Sequence, residues 1–156
     1  MEYVVAASLE RIVQACREAL GDIPDVEFRV GSVPETGAGC DVAILSFPLA
    51  HERYGGVPRM GVAQVLVNTR GDGAPGIILA TPPTPVPVSA TGVGDAEIEE
   101  YVIRALDSCL GELENHFPEF EGISKILVHL EAAGLDRKDL GAPLRGVRSF
   151  LSKGRS

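Results

Sequence analysis

The residues best suited to chemistry stand together between Phe47 and Gly61, in the run His51-Glu52-Arg53-Tyr54-Gly55-Gly56-Val57-Pro58. Histidine titrates near neutral pH, which makes His51 the candidate general base and Glu52 its candidate acid partner. Paired glycines permit positive φ and let backbone N–H groups approach a ligand closely, so Gly55, Gly56 and Val57, with Arg53 beside them, are candidate ligand-binding residues. The run matches neither the phosphate-loop nor the dinucleotide-binding glycine pattern. A second pair, His129 and Glu131, falls two positions apart at the end of an apolar segment. A histidine satisfied at the core or its edge is the expectation there, since a metal site would need a third ligand. The serine elbow, the H-E-x-x-H zinc motif and the EF-hand loop do not occur. Cys16, Cys40 and Cys109 are far apart and odd in number, so neither a disulfide framework nor a metal site is expected, and no cofactor is implied. Cys16 and Cys109 read as small core residues on apolar helix faces.

These residues must be positioned by the elements around them. From Ser8 to Leu20 the apolar residues Leu9, Ile12, Val13, Cys16, Ala19 and Leu20 recur at helical spacing, with Ser8 as expected N-cap and Gly21 just past the end. Val26 to Val33 alternates apolar and polar residues, as an edge or near-edge strand does. Asp41 to Phe47 is a continuous apolar run and predicts a central strand buried on both faces. Phe47 to Gly61 reads as a loop, and Met60 to Val67 fits a helix or an extended segment equally. A turn over 70–76 precedes a strand over Ile77 to Thr81. The prolines of Pro82 to Ser89 demand an extended connection. A long helix follows, with Asp95 as expected N-cap and an apolar stripe from Ile98 to Phe117. Ile123 to Leu130 predicts a further buried strand, and Pro143 opens a last helix with Leu144, Val147, Phe150 and Leu151 on its apolar face.

Alternation of strands and helices through the second half implies right-handed crossovers to a largely parallel sheet, hence an α/β fold, a three-layer sandwich in one domain over residues 1–156. Ligands of such sheets bind at the carboxyl ends of the strands, which directs attention to the loops after Phe47, Thr81 and Leu130. A hydrophobic fraction of 45% with 23% charged residues is that of a folding chain, and 5% aromatics without Trp implies an aliphatic core. A net charge of −8 argues against a nucleic-acid partner, which would need clustered cations. The basic residues Arg137, Lys138, Arg145, Arg148, Lys153 and Arg155 read as the solvated side of a terminal helix. No apolar run approaches the length of a membrane span, so no membrane partner is expected and a cytoplasmic location is the default.

The order of elements from Val26 onward, with Asp41-Val-Ala-Ile-Leu45, the Gly55-Gly56-Val57 loop and the later strand before Ala132-Ala133-Gly134, resembles a macrodomain, the ADP-ribose-binding fold. The resemblance spans most of residues 23 to 151. It implies that Gly55, Gly56 and Val57 lie against the distal ribose, and that Ala133 and Gly134 belong to a second phosphate loop. Backbone amides would then hold the phosphates, which suits an acidic chain. Where the family has its N-A-A-N asparagines this chain has Ser46-Phe47-Pro48-Leu49, making Ser46 the ligand-facing residue there. Where the family has G-D-I this chain has Gly31-Ser32-Val33. The implied function is binding of ADP-ribose or a related small phosphorylated nucleotide, with ADP-ribosyl hydrolysis as its catalytic extension. The alternatives are a structural or protein-interaction module on a macro-like fold, and an enzyme built on His51 and Glu52.

Overall fold

The computed structural model describes residues 1–84, 88 and 90–153. Strands β1 (Glu2–Ala7), β2 (Val26–Val30), β3 (Val42–Leu45), β4 (Gln64–Val67), β5 (Ile77–Ala80) and β6 (Lys125–His129) form one mixed sheet in the order β2-β1-β6-β3-β5-β4. All neighbouring pairs are parallel except β4 with β5. Helices α1 (Glu10–Leu20), α4 (Asp95–His116) and α5 (Gly141–Ser152) cover one face, and α2 (Val33–Thr36) and α3 (Phe47–Tyr54) cover the other. The architecture is the expected α/β sandwich.

Strand periodicity explains the two cores. In β1, Tyr3, Val5 and Ala7 join the core under α1, α4 and α5, while Val4 and Ala6 join the smaller one under α3. Ile44 and Leu45 of β3 divide in the same way. A strand buried on both faces has no polar position to alternate with, which is why Asp41 to Phe47 reads as an unbroken apolar run. The expected edge strand is found over Val26 to Val30 and stops short of Val33, because Ser32 caps the short helix α2 that begins there, and Val42 to Leu45 lies centrally. Cys16 and Cys109 are fully buried, as small core residues.

Several local expectations are corrected. β1 was not anticipated, because the five apolar residues from Tyr3 to Ala7 carry no period that distinguishes a strand from a helix lead-in. Phe47 to Tyr54 is helical, not a loop: Pro48 sits in its first turn and Gly55, at φ 86, closes it by donating its N–H to His51 O at 3.1 Å. Proline at the start and glycine past the end is a helix signature. Met60 to Val67 resolves into an edge strand, β4, preceded by irregular chain. The helix caps shift by one residue, with Leu9 in place of Ser8 and Gly94 in place of Asp95, and Pro143 is the third residue of α5. Residues 85–87 and 89 of the proline segment lie outside the described residues.

Three of the terminal cations are tied to acids. Arg148 makes a bidentate pair with Asp22 at 2.7 Å, Lys153 meets Asp107 at 2.7 Å, and Arg145 meets Glu99 at 3.2 Å. Arg137 donates to Val93 O at 3.1 Å, Lys138 is exposed with no ion pair among the described residues, and Arg155 lies outside them. Among the described residues no helix is long and apolar enough to cross a membrane.

α5 crosses α4 at Gly146, where an added Cβ would lie 2.7 Å from Val102 Cβ and 2.9 Å from Glu99 O. Helix propensity favours alanine over glycine by about 1 kcal/mol, but overpacking a rigid crossing costs about 1–3 kcal/mol. The contact involves backbone, so the steric term wins. Gly146→Ala is therefore expected to destabilise the chain by about 1 kcal/mol or more, read as a lowered denaturant midpoint; an unchanged or raised midpoint would show that the helices separate freely.

Candidate functional site

The parallel strands deliver their carboxyl ends to one rim, and there the structure forms a cavity of about 400 Å³. Ser46 follows β3, Thr81 and Thr84 follow β5, and Ala133, Gly134 and Asp136 follow β6, while Tyr101 enters from α4. Phe47, Pro48 and Val88 complete the walls. The three strand-end loops singled out from the sequence thus converge on one cavity.

Internal hydrogen bonds hold its wall. Ser46 N–H donates to Ala132 O at 2.7 Å, joining the β3 and β6 loops. Phe47 N–H donates to Thr81 Oγ1 at 3.2 Å, joining the β3 and β5 loops. Gly134 has φ 70 and packs so tightly that a Cβ there would lie 3.1 Å from Ser46 Cβ. Beneath the rim, His129 is 4% exposed and satisfied at both ring nitrogens. Ala132 N–H donates to Nδ1 at 3.3 Å, so the proton sits on Nε2, which donates to Gly31 O at 2.9 Å. The histidine is a latch between the loops after β2 and β6, as the sequence reading expected of a satisfied core histidine. Glu131 accepts from Ser8 N–H at 3.0 Å and fastens the end of β1 to the same loop.

The amides from Ala132 to Leu135 in the β6 loop are spent. Ala133, Gly134 and Leu135 donate to His129 O, Glu131 O and Leu130 O at 2.8, 3.1 and 2.9 Å, and Ala132 donates to His129. Among the described residues the cavity is lined by no Lys, Arg or His, and Asp136 is its single charged residue. Burial, with the charge of Glu131 adding, raises the Asp136 carboxyl above its ordinary range. Tyr101 is likewise raised, chiefly by burial. The chemistry of this lining is to accept hydrogen bonds at a carboxylate, exchange them with hydroxyls, and cover an apolar or planar group with Phe47, Pro48 and Tyr101.

The sequence-predicted residues divide between two places. Ser46, Ala133 and Gly134 line the cavity. His51, Glu52 and Arg53 ride on α3, and Gly55, Gly56 and Val57 follow its far end; none of them lines the cavity. His51 Nδ1 is 3.1 Å from Gly55 O. Gly55 and Gly56 do take positive φ: Gly55 ends α3 with open space around it, and a Cβ on Gly56 would meet Leu66 Cδ2 at 2.8 Å and His51 Nδ1 at 3.0 Å. Arg53 faces Asp72 at 3.6 Å, and its carbonyl accepts from Arg70. Asp72 accepts from the Tyr54 hydroxyl at 2.7 Å and from Asn68 Nδ2 at 2.9 Å, an arrangement that pins the 68–76 turn to α3. Burial and that bond push Tyr54 up to about 12, and the Tyr54 and Asn68 bonds hold Asp72 at about 2.

Sequence reading missed Thr81 as a lining residue, Tyr101 and Asp136. Tyr101 lies three positions after Ile98 on the buried stripe of α4, where a tyrosine needs a partner for its hydroxyl, and that was a legible signal. Asp136 sits among other polar residues in a turn and carries none. Comparison with known protein families and with curated protein sequences finds no match for this chain.

Because the folded-state pKa of Asp136 lies above its unfolded value, its ionised form lowers stability at neutral pH, and that penalty disappears as pH falls below the ordinary carboxylate range. Asp136→Asn is therefore expected to raise the melting temperature at pH 7 by roughly 1–3 °C, allowing for solvent screening at an open site. The gain should shrink toward pH 4. A lowered melting temperature at pH 7 would mean that the carboxylate is stabilised by bonds to its surroundings.

Proposed function

We propose that the strand-end cavity binds the hydroxyl-bearing end of a nucleotide-type ligand of the ADP-ribose class. The observation that carries this reading is Asp136: one carboxylate, among hydroxyls and apolar walls, in a cavity lined by no cation among the described residues. Vicinal ribose hydroxyls or an amino group donate to such a carboxylate, while a sugar or base face rests on Phe47 and Tyr101. Phosphates are poor occupants of the cavity itself, since the amides from Ala132 to Leu135 in the β6 loop are already bonded and Asp136 repels them. They point outward to solvent. Ser46, Ala133 and Gly134, which the macrodomain resemblance marked for ligand contact, are the residues that support this choice of class. His51 and Glu52 stand outside the lining, so the reading is one of binding, with no catalytic role for that pair.

A thermal-shift series with ADP-ribose, AMP, NAD and mononucleotides tests it. A ligand that binds only the folded state stabilises by RT ln(1 + [L]/Kd), about 2.7 kcal/mol at a hundredfold excess over Kd, or roughly 5–10 °C for a chain of this size. ADP-ribose is expected to produce such a shift, Gly134→Val and Asp136→Ala to remove most of it, and His51→Ala to leave it intact. A flat response across the series would end the nucleotide reading. Loss of the shift in His51→Ala with retention in Gly134→Val would move the site to the end of α3.

A further inference from the structure

The two edges of the sheet are treated differently. β2 alternates Glu27 and Arg29, and Arg29 donates to Thr36 O and Ala38 O at 2.8 and 2.7 Å, so that edge carries charge and is fastened to the chain that follows it. Charged residues of this kind keep an edge from pairing with another chain. β4, Gln64-Val65-Leu66-Val67, has no charge and no proline. Asn68 N–H donates inward to Gly76 O at 2.9 Å, which fixes the phase: Leu66 and Gln64 also turn their backbone groups toward β5. Val65 and Val67 therefore turn theirs outward, and among the described residues these have no partner.

Exposed apolar side chains gather at the same edge. Val57, Met60 and Val67 are 70%, 69% and 68% exposed, and Val62 is 42% exposed. A groove of about 270 Å³ runs astride the strand, with Gly56, Gln64 and Leu66 on one side and Val65, Glu112 and His116 on the other. An extended strand is what satisfies such an edge.

We propose that two copies of this chain join through β4, antiparallel about a two-fold axis at Leu66, making their sheets continuous. With Val65 and Val67 both directed outward, the register Val65 to the partner copy's Val67, and its symmetry mate, pairs every outward donor with an acceptor, about four hydrogen bonds in all. The same register sets exposed Val67 beside the other copy's Val65 as a cross-strand pair. Charge agrees: Arg59 is exposed at the groove with no ion pair among the described residues, and Glu112 of the other copy supplies the counter-charge. Residues 56–68 with Glu112 and His116 make about fifteen residues per copy, against roughly 20–30 in an interface of standard size. The dimer is accordingly weak, with dissociation in the micromolar range.

Sedimentation velocity on the full chain from about 1 to about 500 μM tests this. The expected result is a reversible monomer–dimer equilibrium. Val67→Lys, at an exposed site that leaves the unfolding midpoint unchanged, should weaken it at least about tenfold, and Met60→Glu should weaken it less. Hydrogen exchange at the Val65 and Val67 amides should slow as concentration rises. A wild-type chain that stays monomeric throughout overturns the proposal and leaves the edge to a strand of another protein. A dimer that persists unchanged in Val67→Lys also overturns it, by placing the contact elsewhere.

Discussion

Strands buried on both faces impose the constraint from which the rest of this molecule follows. β1, β3 and β6 are sealed above and below, and all their neighbours are parallel strands reached by crossovers through α1, α4 and the segments after β2, whose helices cover both faces. Every crossover leaves from the carboxyl end of a strand. The loops after β3, β5 and β6 are thereby delivered to one rim without any specific attraction between them, and a cavity there is a by-product of the topology. What individual residues add is rigidity: Ser46 to Ala132, Phe47 to Thr81, and the His129 latch join loops that the sheet has only brought near one another.

That division of labour separates two glycine sites that look alike in sequence. Gly55 ends a helix and Gly56 clears space for Leu66 and Gln64, whereas Gly134 turns the β6 loop so that it can lie against Ser46. Both need positive φ, and both let backbone approach something closely. In one case the neighbour is the chain's own β4; in the other it is the wall of a cavity. A hydrogen-bond ledger distinguishes them where a glycine motif does not.

Electrostatics shapes the cavity as much as volume does. An acidic chain has few cations to place, and Arg148, Lys153 and Arg145 near its end are paired with Asp22, Asp107 and Glu99. The cavity is left with Asp136, partly desolvated beside Glu131. A site of that kind selects for donors and against anions, which turns an expectation of phosphate binding into one of binding at the hydroxyl end of the ligand.

By itself the sequence determined the class of fold, the central strand β3, the edge strand β2, the buried state of Cys16 and Cys109 and the satisfied state of His129. Those follow from local periodicity and from the cost of burying an unpaired polar group, both of which are readable residue by residue. β1 and α3 escaped, because a short apolar run and a single helical turn or two carry too few residues for a period to emerge. Tertiary structure alone decided which strand ends meet, and hence that Ser46, Thr81, Tyr101, Gly134 and Asp136 share one cavity while His51 and Gly56 do not. Asp136 had no signal to give, since a carboxylate in a polar turn reads as solvated until the fold places Glu131 and the cavity walls around it. Proximity across the sheet depends on strand order, and strand order is set by the packing of the whole chain.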